Sequence, residues 1–288
     1  MSDALVFTDT ACDLPQETLD EHGIGLLHMP YTLGEEQHLG DGMDIDDFYD
    51  TLRQGARSTT AQVRPTDCEA AFRSAYEQGK AAVVVTISSG LSASYDGAVA
   101  ARERFMAEHP DAHVYVVDSL AVSVSQGLLL VEMVSQLESG VPVEEVVGWA
   151  ESNRLRANAV FTVDTFEYLV RGGRVSAAVG AVGGMLDVKP VLHVDSKGEL
   201  AVLKKTRGRK RALAMLADMT CERMIEPARQ TVIINHGQCP EDAAALERLF
   251  TERCPVAGVR QGRIGVIIGT HVGPGGLAIG FWGSPERV

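Results

Sequence analysis

The feature that most constrains how this chain can fold is a change of pattern over residues 82–101. The segment opens on Val83-Val84-Val85-Thr86-Ile87, a β-branched apolar run typical of a buried strand. Small hydroxyl residues and a glycine follow in Ser88-Ser89-Gly90-Leu91-Ser92, and from Tyr95 apolar residues recur at helical spacing. A strand, a hydroxyl-rich loop and a helix start in this order predict one unit of a parallel α/β sheet, with the loop at the carboxyl edge of the strands.

This loop has the composition of a site for a small anion. The amides of a helix start carry partial positive charge and serine hydroxyls donate hydrogen bonds, so both would stabilise a carboxylate or a phosphate. The structural alternative is that Ser92 only caps the helix, as serines commonly do. From this segment alone both interpretations stay open.

Strands and helices alternate through the whole first half of the chain. The predicted elements before and after the 82–101 unit are strands Ala4–Phe7, Ile24–Tyr31 and Val114–Val117 and helices over 121–137 and 143–154. Two of the strands end, like the central unit, in hydroxyl-bearing loops, Thr8-Asp9-Thr10 and Asp118-Ser119. This alternation predicts a doubly wound α/β domain, a parallel sheet with helices on both faces.

The pattern changes near residue 157, which divides the chain into predicted domains 1–157 and 158–288. The second domain has short predicted strands and fewer helices, which predicts an α+β fold; its strands are Ala159–Val163, Val191–Asp195, Leu200–Leu203, Thr231–Asn235 and Ile264–Gly269. The second and third of these strands form a hairpin. His271 follows the last strand in a Gly/Pro loop, so we expect a stiff turn to position it.

Two segments of the second half stand out by composition. Residues 175–188 are almost wholly small and apolar, and each glycine inside a helix costs up to about 1 kcal/mol relative to alanine. The presence of several glycines in this segment indicates that a neighbouring helix or an alkyl chain approaches the backbone closely.

The second segment, residues 204–211, holds six cations in eight positions. Such a run is either a solvated face or a docking patch for an acidic partner or a phosphate.

Composition excludes several classes of function. The net charge of −13 over 288 residues opposes general binding to nucleic acid or to anionic lipid surfaces. The five cysteines are scattered without a CxxC pair, which favours reduced thiols over a disulfide framework or a zinc site. No apolar run reaches the length of a membrane span and the first residues lack a signal-peptide pattern, so we expect a cytoplasmic protein without an integral membrane segment.

An ordered set of motifs covers essentially the whole chain. The segments are Phe7–Thr10, Thr60–Pro65 (TAQVRP), Ile87–Tyr95 (ISSGLSASY), Val117–Ser119, Thr165–Arg174 (TFEYLVRGGR), Lys189-Pro190, Lys205–Lys210 (KTRGRK) and Gly269–Gly275 (GTHVGPG). Together they resemble the DegV family, the bacterial fatty-acid-binding proteins. The chain departs from the usual family residues in two of these loops, at Ala61, Val63, Arg64, Ala93 and Ser94.

The resemblance implies a two-domain protein that holds one long-chain fatty acid, with the carboxylate at the domain interface and the tail in a buried tunnel. Carried over residue by residue, the carboxylate ligands are Thr60, Ser92 and His271. Two hydroxyls and an imidazole N–H can fill most of the lone-pair positions of a carboxylate. The residues implied for the tail pocket are Val182, Met185 and Leu186.

The resemblance also implies a partner, a fatty acid kinase that converts the bound carboxylate to an acyl-phosphate. The arginine implicated in that partnership matches Arg207, and Arg174 is a second candidate, whose structural alternative is to close the Gly-Gly turn against a carbonyl or a carboxylate. No catalytic residue, metal or cofactor is expected, and we expect a monomer. The alternative function is a Ser/His acyl hydrolase with Ser92 as nucleophile and His271 as base, although no Gly-x-Ser-x-Gly elbow surrounds Ser92.

Overall fold

The computed structural model describes residues 3–40, 42–176, 178 and 187–285. The strands are β1 (Ala4–Asp9), β2 (Gly25–Leu27), β3 (Pro30–Leu33), β4 (Glu36–Leu39), β5 (Ser58–Thr60), β6 (Ala81–Thr86), β7 (Val114–Asp118), β8 (Ala157–Thr162), β9 (Val188–Val194), β10 (Leu200–Arg207), β11 (Thr231–His236), β12 (Gly258–Arg263) and β13 (Leu277–Trp282). The α-helices are α1 (Gln16–Glu21), α2 (Ile45–Arg53), α3 (Pro65–Glu77), α4 (Ser94–Glu108), α5 (Val124–Glu138), α6 (Val143–Asn153), α7 (Glu167–Arg171), α8 (Arg209–Arg223), α9 (Pro240–Thr251) and α10 (Val266–Val272). None of the helices in these ranges is long and apolar enough to cross a membrane.

The first half of the chain builds a four-stranded parallel sheet with the order β2-β1-β6-β7. Adjacent residues of β6 face opposite sides, as the two-residue period of a strand requires. Val84 belongs to the apolar cluster that includes α3 and α4, whereas Val83 and Val85 belong to the cluster that includes α5 and α6. Helices therefore cover both faces, and the prediction of a doubly wound α/β unit is confirmed.

The second half builds a six-stranded mixed sheet with the order β10-β9-β8-β13-β11-β12. Strands β11 and β12 are parallel, and the other neighbours are antiparallel. Helices α8 and α9 share an apolar cluster with one face of this sheet. Helix α5 contacts β1 as well as β8 and β13, so it lies between the two sheets. The predicted α+β character and the predicted β9–β10 hairpin are confirmed.

A third, three-stranded antiparallel sheet has the order β4-β3-β5 and carries Thr60 at the end of β5. Its presence makes the prediction of one strand over Ile24–Tyr31 wrong. The chain pairs with β1 only as far as Leu27, and the Met29 N–H then donates to the Thr10 side-chain oxygen at 3.1 Å. The break lies between Leu27 and Pro30, and the proline inside this apolar run is a sequence signal against one continuous strand.

The prediction of a strand over Ile264–Gly269 is also wrong, because helix α10 begins within it. The Gly265 N–H donates to Asp13 Oδ1 at 2.9 Å, and the Gly269 N–H donates to the Gly265 carbonyl at 2.7 Å in the α-helical pattern. The helix is buried from Val266 to Thr270, and a short run buried on all sides fits a strand or a helix equally well. His271 therefore lies in the last turn of a helix rather than in a loop after a strand.

Two glycines bring the β9–β10 hairpin against the hydroxyl-rich loop after β6. Gly198 in the hairpin turn has a φ of +77°, and a Cβ there would overlap Ser88 Oγ. That hydroxyl donates to the Gly198 carbonyl at 2.8 Å. A Cβ on Gly90 would lie 2.9 Å from the Gly198 carbonyl carbon. The two backbones meet without an intervening side chain, which fixes the hairpin beside the loop.

Candidate functional site

A cavity lies between α10, β8, β13 and the loops that follow β5, β6 and β7. It holds about 1030 Å³ of space free of protein atoms, counting its mouth. Most of its wall is aliphatic or aromatic, and the polar side chains on the wall are Thr60, Gln62, Ser92, Ser123, Arg174 and His271. An apolar cavity with a small number of polar groups suits a ligand that has one polar end.

Thr60 and His271 meet at this wall. Thr60 ends β5, His271 lies in the last turn of α10, and Thr60 Oγ1 and His271 Nε2 are 2.8 Å apart. A second contact joins the same two elements, because Ser58 Oγ and Thr270 Oγ1 are 2.7 Å apart. The structure thus brings together two of the three predicted carboxylate ligands.

The other ring nitrogen of His271 faces the backbone of Gly172. His271 Nδ1 is buried without a hydrogen-bond partner in the part of the chain that is described, and a Cβ on Gly172 would overlap it. Burial, reinforced by the charges of Arg174 and Arg171, lowers the pKa of His271 from 6.5 to about 4, so the ring is neutral at pH 7. A buried N–H without a partner is rarer than a buried bare acceptor. We therefore assign the ring proton to Nε2, which donates to Thr60 Oγ1.

Ser92 lines the cavity between β6 and α4 and is held by Ser94. Ser92 Oγ accepts the Ser94 N–H at 3.2 Å and lies 2.9 Å from Ser94 Oγ. Ser94 Oγ also accepts the Val63 N–H at 3.2 Å. Because Ser94 is fully buried whereas Ser92 lines the cavity, we assign the proton of the Ser92–Ser94 bond to Ser94. Ser92 Oγ accepts the N–H of the first residue of α4, but the N-cap residue is Ala93, so Ser92 is not the helix cap that the structural alternative predicted. The hydroxyl proton of Ser92 remains for a group in the cavity.

Arg174 brings positive charge to the same wall. Its Nε and Nη2 donate to the Leu91 carbonyl at 3.1 and 3.0 Å, and its Nη1 donates to the Gly172 carbonyl at 2.5 Å. This is the structural role that the sequence left open, closure of the Gly-Gly turn against a carbonyl. Burial lowers the pKa of Arg174, and a guanidinium remains charged. The ion pairs of the described residues do not include Arg174, so an anionic ligand would supply its missing counter-charge.

Asp9, at the end of β1, is a buried carboxylate beneath the loop after β6. Its Oδ2 accepts the Ile87 N–H at 2.7 Å, and its Oδ1 accepts the Ala11 N–H at 3.2 Å and a proton of Gln126 Nε2 at 3.0 Å. Burial raises the pKa of Asp9 from 3.8 to about 6, although these hydrogen bonds oppose the shift. Asp9 is not part of the cavity wall, so it positions the start of the hydroxyl-rich loop.

Arg207 lies outside the cavity wall, at the exposed end of the edge strand β10. The cationic run 204–211 spans the end of β10 and the first turn of α8. Within it, Arg209 turns inward and donates to Asp242 Oδ2 at 2.8 Å and to the Gly275 carbonyl at 2.7 Å. The run is therefore not a uniform solvated face, and the role of Arg207 toward a partner stays a prediction.

The three predicted tail-pocket residues, Val182, Met185 and Leu186, lie outside the described residues. The apolar wall that is described includes Ala159 and Phe161 of β8 and Leu277 of β13. Within the described ranges, no group of three His, Cys, Asp or Glu side chains is placed to hold a metal ion.

Sequence reasoning missed three residues of the site, Gln62, Ser94 and Gly172. Gln62 sits within the matched TAQVRP segment but attracted no role. Ser94 departs from the usual family residue, and its hydroxyl joins the Thr60 loop to the Ser92 loop. The paired glycines at 172 and 173 were the available signal for Gly172, because a conspicuous glycine often marks a close approach by another group.

Comparison with known proteins gives consistent matches over the full length. The model of the DegV family, described as uncharacterised, matches residues 4–283. A DegV domain-containing protein of Clostridium perfringens is 34% identical over 291 residues and covers 100% of both chains. A Thermotoga maritima structure described as revealing a fatty acid binding function is 27% identical, with a TM-score of 0.86 over 99% of this chain and 100% of that one. The Streptococcus pneumoniae fatty acid kinase B3 protein, solved with linoleic acid, is similar in fold at 23% identity, with a TM-score of 0.86 and coverage of 99% and 100%.

Proposed function

The chain belongs to the DegV family, and from this premise we propose that it binds one long-chain fatty acid. Thr60 and Ser92 bind the carboxylate, His271 orients Thr60 through its Nε2, and the tail fills the apolar cavity. The Thermotoga protein that shares this fold is described as a fatty-acid-binding protein, which supports the proposal.

The observation that carries the proposal is the unpaired charge at the polar part of an apolar cavity. Arg174 is half-buried and bonded to two carbonyls, and the described residues provide no carboxylate for it. Thr60, Ser92 and a neutral His271 share the same wall. A single carboxylate attached to an apolar chain satisfies these groups and the apolar wall at once.

The hydrogen bonds around the hydroxyls leave protons for that carboxylate. His271 donates to Thr60 Oγ1, so the Thr60 proton is directed away from the ring. Ser94 donates to Ser92 Oγ, so the Ser92 proton is equally available. In this arrangement Thr60 and Ser92 contact the ligand directly and His271 orients Thr60. Hydrogen bonds to a charged group stabilise by roughly 1.5–3 kcal/mol each.

Affinity in this proposal comes mainly from the tail. Each buried methylene stabilises by roughly 0.8 kcal/mol, so an acyl chain in the cavity contributes more than the head group. A surface of aliphatic side chains discriminates weakly between tails that differ by one methylene, by roughly 1–3 kcal/mol. We therefore expect a set of similar long-chain fatty acids rather than one.

The finer parts of the proposal concern the partner and the domains. A fatty acid kinase acts on the bound carboxylate, and Arg207, exposed at the end of β10, contacts the kinase or the transferred phosphoryl group.

The proposed boundary between the two domains lies between residues 157 and 158. This boundary is in keeping with a mixed sheet whose strands all begin at or after Ala157. A cytoplasmic location and a monomeric state, both expected from the sequence, are retained.

The geometry does not favour the acyl hydrolase. A Ser/His pair needs the base hydrogen-bonded to the nucleophile and a third group that orients the base. Here His271 bonds to Thr60 rather than to Ser92, and its Nδ1 faces the Gly172 backbone. Absence of ester hydrolysis by the purified protein would remove this alternative, whereas hydrolysis lost in Ser92→Ala would restore it.

Mass spectrometry of an organic extract from the denatured protein tests the proposal. We expect long-chain fatty acid close to one per chain in the wild type, and clearly less in Ser92→Ala and in His271→Ala. Ser152→Ala, an exposed serine of α6, is the matched control and should retain the wild-type amount. A lipid-free wild-type extract, together with no binding after fatty acid is added back, would refute the proposed function.

A further inference from the structure

Gln62 is a polar residue of the cavity wall to which neither the sequence nor the resemblance gave a role. It follows Thr60 by two residues and is half-buried on the wall of the cavity. Across the described ranges the structure records no hydrogen bond for its side-chain amide, although the neighbouring polar side chains Thr60, Ser92 and Arg174 each have partners. A half-buried amide with two free donors on a cavity wall can donate hydrogen bonds to a ligand in the cavity.

The proposed carboxylate can accept a further donor from the cavity wall. A carboxylate offers about four lone-pair positions. The Thr60 and Ser92 hydroxyls supply one proton each, and the only proton of the neutral His271 ring is used by Thr60. Arg174 supplies charge, and three of its five N–H protons donate to carbonyls, so one proton on each of Nη1 and Nη2 remains. The Gln62 amide, on the same wall and without a recorded hydrogen bond in the described ranges, offers a neutral donor beside these groups.

Helix α4 is shaped to accept Gln62. Gly97 lies in the first turns of this helix, and a Cβ at position 97 would lie 3.1 Å from Gln62 Nε2. A glycine inside a helix is less stable than alanine by about 1 kcal/mol. The missing methyl group is therefore unfavourable for the helix and leaves room for the amide at the cavity wall.

We propose that Gln62 is a further carboxylate-binding residue, which donates from Nε2 to the fatty acid beside Thr60 and Ser92. Gly97, because it has no side chain, leaves the space that the amide occupies in this position. This inference rests on the proposed function. It predicts that stability and affinity change in opposite directions when Gly97 becomes alanine, an outcome that a purely structural role of either residue does not produce.

The test measures the affinity of delipidated full-length protein for a long-chain fatty acid and for the fatty alcohol with the same tail. Gln62→Leu should bind the acid about 10- to 100-fold more weakly, the equivalent of one hydrogen bond to a charged group. Its affinity for the alcohol should change far less, because the alcohol has no carboxylate. Gln37→Leu, an exposed glutamine of β4, is the control and should match the wild type for both ligands.

The second variant separates positioning from packing. Gly97→Ala should raise the unfolding midpoint in urea but weaken binding of the acid several-fold. The matched control is Gly148→Ala in the middle of α6, where a Cβ would meet nothing within 4 Å. That control should raise the midpoint and leave the affinity unchanged.

Each other outcome has a definite meaning. Wild-type affinity for the acid in Gln62→Leu, or equal losses for acid and alcohol, would overturn the role of Gln62. Unchanged affinity in Gly97→Ala would overturn the role of Gly97. A wild type that binds neither ligand would overturn the proposed function itself, which the extraction experiment shows independently.

Discussion

Two buried groups, His271 and Asp9, bind protons over nearly the same pH range but act on stability in opposite directions. Burial, with the charges of Arg174 and Arg171, lowers the pKa of His271 from 6.5 to about 4. Burial raises the pKa of Asp9 from 3.8 to about 6, against the hydrogen bonds that it accepts. In the unfolded chain both groups return to their ordinary values.

The sign for each group follows from which state binds the proton. Between pH 6.5 and 4 the unfolded chain protonates His271 and the folded chain does not, so acidification destabilises the fold. Between pH 6 and 3.8 the folded chain protonates Asp9 and the unfolded chain does not, so acidification stabilises the fold. From pH 7 to pH 5 these shifts correspond to a loss of about 2 kcal/mol for His271 and a gain of about 1 kcal/mol for Asp9. In the wild type the two effects largely cancel.

The variant His271→Gln isolates the pH-dependent contribution of His271 to stability, which Asp9 largely offsets in the wild type. Glutamine retains an N–H donor and does not titrate. We expect the free energy of unfolding of the variant, relative to the wild type, to rise by about 2 kcal/mol when the pH falls from 7 to 5. Any constant effect of the substitution cancels in this difference, as do the titrations of other groups. The protein must be delipidated first, since a bound carboxylate would change the pKa of His271.

Urea unfolding at the two pH values, followed by the fluorescence of Trp149 and Trp282, measures this difference by linear extrapolation. His113→Gln, which replaces a solvent-exposed histidine, controls for the loss of a histidine as such and should follow the wild type at both pH values. If His271→Gln and the wild type differ by the same free energy at pH 7 and at pH 5, the neutral buried state assigned to His271 is wrong.

Two further predictions concern the partner and the contact between the sheets. Arg207→Ala should retain bound fatty acid at the wild-type level but slow its phosphorylation by a fatty acid kinase. Arg229→Ala, which replaces another exposed arginine, is the control. Loss of lipid from Arg207→Ala would contradict the assignment of Arg207 to the kinase contact rather than to lipid binding. Gly198→Ala should destabilise the protein in urea by more than Gly140→Ala, because both glycines have positive φ but only a Cβ at 198 overlaps Ser88; equal losses would contradict the close contact.

The fold was predictable wherever the hydrophobic pattern had a clear period. The strand, loop and helix of 82–101 appear as β6, the loop that ends in Ser92 and α4, and the hairpin appears as β9 and β10. The errors fall where the pattern has no period. Ile264–Gly269 is buried on all sides, so only tertiary contacts such as the one from Asp13 decide that it begins a helix.

The candidate site was predictable as a set of loops but not as a set of contacts. Hydroxyl-bearing loops at the carboxyl ends of parallel strands indicated an anion site, and the motifs added Thr60 and His271 from sheets and helices that the sequence alone does not bring together. The distance from Thr60 to His271 depends on β5 joining β3 in a separate sheet and on α10 packing beside it. Neither arrangement follows from local propensity.

The sequence could not predict which group donates in each of these hydrogen bonds, because that depends on neighbours that are distant in the sequence. A hydroxyl can donate only one proton, so its use to a ligand depends on whether a neighbour already takes that proton. Thr60 keeps its proton because His271 donates to it, and His271 has only one proton to give because burial keeps the ring neutral. The ring fits there because Gly172 has no side chain. The chemistry of Thr60 is therefore set by two residues far away in sequence, neither of which needs to touch the ligand.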